Sequence, residues 1–126
     1  MPKSKKIKKK KIVLCHGVFD LVHLGHINYL KKAKKLGDNL IISVTSDKFV
    51  NKGPGRPAFS TEQRMSFLSE LKFVDKVYES NDFTAVKLIE QTKPDFYCKG
   101  IDYPISKIKE DKNLKAEINA VKKKWR

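Results

Sequence analysis

Two histidines three residues apart, His23 and His26, bracket a glycine in the run His23-Leu24-Gly25-His26. At that spacing both imidazoles share one helical face and can reach a common ligand. The run follows Ile12-Val13-Leu14-Cys15, the length of a buried strand, and the break His16-Gly17-Val18-Phe19-Asp20. Ile27, Leu30 and Ala33 then recur at helical spacing. A strand entering a helix through a glycine-bearing turn aims backbone N–H groups and the positive helix end at whatever lies above the strand. That is an anion site, and phosphate is its usual occupant. A zinc-protease helix is excluded, because no Glu follows the first His and the pair is not spaced i,i+4. His16 is a secondary candidate, either a site residue or a strand-end surface residue.

The elements that must hold this turn can be read along the chain. A strand over Ile12–Cys15 leads to a helix from about Leu24 to Leu36, stopped by Gly37-Asp38. A second buried strand covers Asn39–Val44, and the crossover helix between the two strands makes a right-handed parallel unit. Lys52-Gly53-Pro54-Gly55-Arg56-Pro57 is a loop by composition. Ser60 and Gln63 fit a capping box for a helix running to about Leu71. Arg64 lies in that helix's first turn, where the dipole disfavours a cation, so it needs an anionic partner: a ligand, or Glu62 or Asp47. Phe73–Tyr78 reads as an edge-like strand, Phe83–Gln91 as a short helix, Asp95–Cys98 as a fourth strand, and 107–121 as an amphipathic helix. The fold class is α/β, a doubly wound, Rossmann-like parallel sheet. In the usual order 3-2-1-4, strands one and four are neighbours, and their C-terminal ends meet where open α/β sheets bind ligands. This sets His16–His26 beside Lys99–Asp102 and puts Cys15 and Cys98 on adjacent strands. No GxGxxG is present, so a nicotinamide or flavin dinucleotide is not the favoured ligand.

The run GVFDLVHLGH at 17–26 resembles the HxGH signature of the cytidylyltransferase-like nucleotidyltransferases. It is most similar to the bacterial heptose 1-phosphate adenylyltransferases and less so to the glycerol-3-phosphate cytidylyltransferases. Leu36-Gly37-Asp38, Thr45-Ser46-Asp47, Glu62-Gln63-Arg64 and Lys99-Gly100-Ile101-Asp102-Tyr103 follow in family order, so the resemblance covers residues 12–121. It implies transfer of a nucleoside monophosphate from ATP or CTP to a sugar phosphate or polyol phosphate, with release of pyrophosphate. His23, His26 and Lys52 would be the catalytic residues. Gly17, Val18, Phe19, Gly25, Arg64, Lys99, Gly100 and Asp102 would contact the nucleotide. Mg²⁺ is expected with the triphosphate, although no carboxylate cluster stands out to hold it alone. The oligomeric state is open from sequence, a homodimer being possible because family members commonly form dimers.

The net charge of +14 raises the possibility of nucleic-acid binding. Residues 3–11 hold seven lysines and residues 122–126 hold four basic side chains. The remaining body carries seventeen basic against fourteen acidic side chains, a net of +3. The excess therefore lies in a basic arm (1–11) and tail (122–126), which read as disordered and suited to non-specific polyanion contact. Between them, 12–121 forms one domain. No apolar run is long enough to span a bilayer, and the lysine-rich start lacks an apolar continuation. Two cysteines without a framework read as free thiols of a cytoplasmic protein.

The family continues with a fifth strand and a Ser/Thr-rich segment opening a last helix, which this sequence lacks. A domain without that C-terminal strand and helix is expected to turn over slowly or not at all while still binding nucleotide. Three readings follow: a sugar-phosphate nucleotidyltransferase, a non-catalytic nucleotide-binding remnant, or a basic nucleic-acid-binding module acting through its tails.

Overall fold

The computed structural model describes residues 10–50, 55, 57–82, 84–99 and 117–121. In chain order the elements are β1 (Ile12–Gly17), α1 (Leu24–Lys34), β2 (Asn39–Thr45), α2 (Thr61–Ser69), β3 (Lys76–Ser80), α3 (Val86–Thr92) and β4 (Phe96–Lys99). A 3₁₀ turn at Asp47–Phe49 follows β2. The four strands form one parallel sheet in the order β3-β2-β1-β4, as the sequence predicts.

Alternation along β1 and β2 sends side chains to both faces, and both are buried. Val13, Cys15, Leu40, Ile42 and Val44 pack with Leu30 and Ala33 of α1 and Leu68 of α2. Leu14 and Ile41 face the other way, onto Ala85 and Ile89 beside and within α3 and onto Ala120. The sheet is thus doubly wound. Helical residues 117–121 are all that is described of the expected C-terminal helix. The basic arm up to residue 9 and the tail at 122–126 lie outside the described residues.

Several boundaries differ from expectation for local reasons. β1 continues to Gly17 because His16 and Gly17 still pair with Ser43 and Val44. β3 begins at Lys76 rather than Phe73, since Phe73 and Val74 pack into the α1–α2 core before the chain turns into the sheet. Asp75 fixes that entry: its N–H donates to Leu40 O at 2.9 Å and its carboxylate accepts from Leu40 N at 2.7 Å. α3 begins at Val86 instead of Phe83, and the Ala85 N–H before it is taken by the Glu117 carboxylate at 2.7 Å.

The N-terminal edge of the sheet is closed by carboxylates. Asp38 accepts from Lys11 N, Asp75 from Leu40 N, and Asp95 from Ile12 N, each at 2.7–2.8 Å. Gly37 sits at this edge for want of space: a Cβ there would lie 2.9 Å from both Lys11 O and Val13 Cγ2. Gly37→Ala is expected to destabilise the fold by about 1–3 kcal/mol through forced displacement of β1. A urea titration monitored by circular dichroism measures it, and an unchanged midpoint would contradict this account.

Candidate functional site

At the opposite edge, α1 is capped by its own histidines. His23 is the N-cap, in extended conformation, and its Nδ1 accepts from Gly25 N at 3.0 Å. His26 reaches back, its Nδ1 accepting from His23 N at 3.3 Å. Two helix-end donors are thereby satisfied, in the manner of a Ser/Glu capping box. An imidazole nitrogen that accepts a hydrogen bond carries no proton, so in each neutral ring the proton sits on Nε2. The rings lie 4.2 Å apart between centroids, tilted by 59°. The turn therefore presents two imidazole N–H donors side by side at a helix N-terminus with no acidic residue in its first turn. Such a set receives anions.

The residues leading into the turn are fixed rather than free. Phe19 has a φ of 51°, unusual for a bulky residue, and buries its ring edge-on to His26 at 6.2 Å. That ring occupies the space over Gly17, where a Cβ would approach it to 3.0 Å. Asp20 is buried and accepts from Ala58 N and Phe59 N at 2.7 and 2.9 Å, tying this loop to the entry of α2. Sequence reasoning assigned Asp20 no role, although it lies inside the GVFD run.

Arg64 corrects the expected nucleotide contact. Its side chain is buried, and the guanidinium donates to Phe59 O, Val18 O, Thr45 O, Asp47 Oδ1 and Thr61 Oγ1 at 2.6–3.2 Å. These partners match the five donors of a guanidinium, so none remains for a phosphate. The anionic partner is Asp47, whose side chain is half exposed. Burial pushes the Asp47 carboxyl up, but hydrogen bonds from Arg64 and Thr61 outweigh it and hold the group below the usual range. Val18 O is thereby taken, leaving only N–H groups of Val18 and Phe19 for the expected phosphate cradle.

Lys99 is likewise engaged. At the end of β4 its ammonium lies 3.0 Å from Glu117 Oε1, and its carbonyl accepts from the Tyr29 hydroxyl at 2.8 Å. Glu117 is fully buried and also accepts from Tyr97 OH at 2.8 Å and from Ala85 N. The Glu117 charge is thus matched inside the fold. His16, paired in register with Ser43 and Lys99, is a buried residue of the sheet and not a surface one. Its Nδ1 lies 2.6 Å from Ser43 Oγ. Burial lowers its pKa to about 4, opposed by Glu117 and assisted by Lys99. Glu117 and Tyr29 were not found from sequence, since nothing local marks a residue whose partners come from other elements. Ser46 Oγ, at the end of β2, is buried without a hydrogen-bond partner among the described residues.

Lys52, Gly100 and Asp102, with Arg56 in the same loop as Lys52, lie outside the described residues. Gly25 lies in the first turn of α1, between the two histidines. Among the described residues no three His, Cys, Asp or Glu side chains gather to hold a metal ion, and no helix is long and apolar enough to cross a membrane.

Residues 14–124 match the cytidylyltransferase-like family model. The bifunctional protein HldE of Vibrio vulnificus (strain YJ016) is 41% identical over 122 residues, covering 95% of this chain and 26% of that protein. HldE of Campylobacter jejuni subsp. doylei is 49% identical over 100 residues, 78% of this chain and 22% of its own length. The chain thus spans about a quarter of the curated relatives it matches. A crystal structure of the lipopolysaccharide core biosynthesis protein from Thermoplasma volcanium GSS1 is 34% identical, with a TM-score of 0.71 over 84% of this chain and 87% of that one.

Two predictions follow from the buried groups. Arg64→Ala leaves Val18 O and Thr45 O without their donor, and should cost about 3 kcal/mol or more in denaturant unfolding. Arg64→Lys should recover only part of that, because an ammonium cannot fork to five acceptors. For His16, the unfolded chain takes up a proton near pH 6.5 while the folded one resists until about 4. Stability is therefore full above about pH 6.5 and falls as pH drops toward 4, by up to about 3 kcal/mol. Unfolding midpoints at pH 7 and pH 5 should differ in the wild type by more than in His16→Gln; equal differences would contradict this.

Proposed function

The chain belongs to the cytidylyltransferase-like family, and from that membership we propose that it transfers an adenylyl group from ATP to a heptose 1-phosphate, releasing pyrophosphate. Nucleotidyltransferase-like chemistry is the family's; the choice of base and acceptor is our own reading. The observation that carries the chemistry is the pair of imidazole N–H donors at the N-terminus of α1. A phosphate oxygen of the sugar attacks the α-phosphorus of the nucleotide, a new P–O bond forms, and the bond to the bridging α–β oxygen breaks. The electron pair of that bond leaves with pyrophosphate, so negative charge grows on the oxygens that the histidines face. Donors already oriented before reaction stabilise that charge without reorganising. The acceptor is itself an ionised phosphate, so no general base is required.

The chain's own residues divide the work. His23 and His26 donate from Nε2 to the α- and β-phosphates. Gly25 lets the nucleotide approach the helix end, and Gly17 with the Val18 and Phe19 N–H groups lines the α-phosphate side. Lys52 neutralises the leaving pyrophosphate, while Gly100 and Asp102 receive the ribose or base. Mg²⁺ would arrive with the triphosphate and shield its charge, since no resident metal cluster is formed by the described side chains. ATP and a heptose are favoured over CTP and a polyol by the resemblance of the run at 17–26 to the heptose 1-phosphate adenylyltransferases. The similar Thermoplasma volcanium protein, a lipopolysaccharide core biosynthesis protein, also favours a sugar acceptor.

Pyrophosphate release should be seen with ATP and heptose 1-phosphate in the presence of Mg²⁺, and should exceed that with CTP and glycerol-3-phosphate. His23→Ala should lower kcat by about 10²–10³-fold while costing only about 1 kcal/mol of stability through the lost cap. Turnover that survives His23→Ala would defeat the proposed role of the turn. A preference for CTP and glycerol-3-phosphate would replace the substrate assignment.

A further inference from the structure

Cys15 and Cys98 are directly opposed partners on the parallel strands β1 and β4. Both point to the α1 face, where they pack in one core. Adjacent strands run about 4.8 Å apart, within the roughly 4.4–6.8 Å between Cα atoms that a disulfide spans. Both are free thiols, with Cys15 buried and Cys98 partly exposed. The neighbouring Cys15 thiol favours the thiolate at Cys98, the more accessible of the two, and outweighs the opposing effect of burial. Each precedes a strand end that faces the candidate site: Cys15 leads into His16-Gly17 and Cys98 into Lys99. Tyr29, on the helix that carries the two histidines, packs in the same core and donates to Lys99 O at 2.8 Å.

We propose that Cys15 and Cys98 are a redox-active pair that a peroxide closes into a reversible disulfide between β1 and β4, directly beneath the histidine turn. The Cys98 thiolate attacks a peroxide oxygen, breaking the O–O bond and giving a sulfenic acid and hydroxide. The Cys15 sulfur then attacks the Cys98 sulfur, the S–S bond forms, the S–O bond breaks, and the thiol proton leaves with the hydroxide as water. In sum, two thiols and one peroxide give one disulfide and two waters. A dithiol reductant reverses the step by exchange. Tyr29 packs in the core that holds both sulfurs and bonds Lys99 O, so closure bears on α1 and the end of β4 together.

The test uses the whole chain, reduced and then treated with a small excess of hydrogen peroxide. It is denatured in an alkylating reagent and mapped by peptide mass spectrometry. The Cys15 and Cys98 peptides should be recovered joined to each other, and dithiothreitol should return both thiols. In Cys98→Ser, Cys15 should stay alkylatable after the same treatment. Hydrogen exchange should be faster at the Gly17 and Lys99 amides of the oxidised protein than of the reduced one. Cys98 recovered as sulfinic or sulfonic acid with Cys15 intact, disulfides joining two chains only, or two untouched thiols would each overturn the pair. Identical exchange at Gly17 and Lys99 would overturn its link to the site.

Discussion

Three backbone carbonyls from three separate segments converge on the guanidinium of Arg64: Val18 before the histidine turn, Thr45 at the end of β2, and Phe59 before α2. Buried carbonyls without donors would oppose any such convergence, and only a planar fork of donors can serve several at once. The cost of burying the charge is offset by Asp47, which remains half in solvent and so keeps part of its hydration. The loop from Gly17 to Val22 owes its shape to this hub and to Asp20, which binds the same α2 entry from the other side. The positive φ at Phe19 is tolerated because the residues around it are held from several directions.

The two helices beside that hub begin differently, and the difference bears on ligand binding. α2 has Ser60 as N-cap, Gln63 closing the box and Glu62 in its first turn, so its positive end is answered within the chain. α1 has the same box built from imidazoles and no acidic residue in its first turn. Its backbone donors are partly satisfied, but the helix dipole is unopposed by any local negative charge. Using Nδ1 for the cap also decides which ring nitrogen carries the proton. Capping and ligand donation are thus two ends of one side chain, and the sequence spacing His-x-Gly-His is what makes both possible.

Much of the architecture could be read from sequence because it depends on local pattern. Short apolar runs separated by helical periods gave four parallel strands and their order, and Ser60 with Gln63 marked the start of α2 correctly. The mismatch of Arg64 with its helix dipole was visible, but its partners were not. Three of the five acceptors are backbone carbonyls, which carry no residue signature. The partner of Lys99 was equally hidden: Glu117, eighteen positions on, reaches it only through the docking of 117–121 on the far face of the sheet. Strand and helix ends moved where a tertiary hydrogen bond replaced the local one, at Asp75 for β3 and Glu117 before α3.

The charged groups near the centre of the sheet's C-terminal edge are arranged to cancel. Lys99 is paired with Glu117, Arg64 with Asp47, and His16 is kept neutral by burial through the physiological range. The start of α1, by contrast, has no acidic residue in its first turn. The excess of lysines lies in the terminal segments, so the described edge offers an oriented helix end more than a diffuse positive field. Preorganised dipoles of this kind act at short range and survive salt that screens exposed charges.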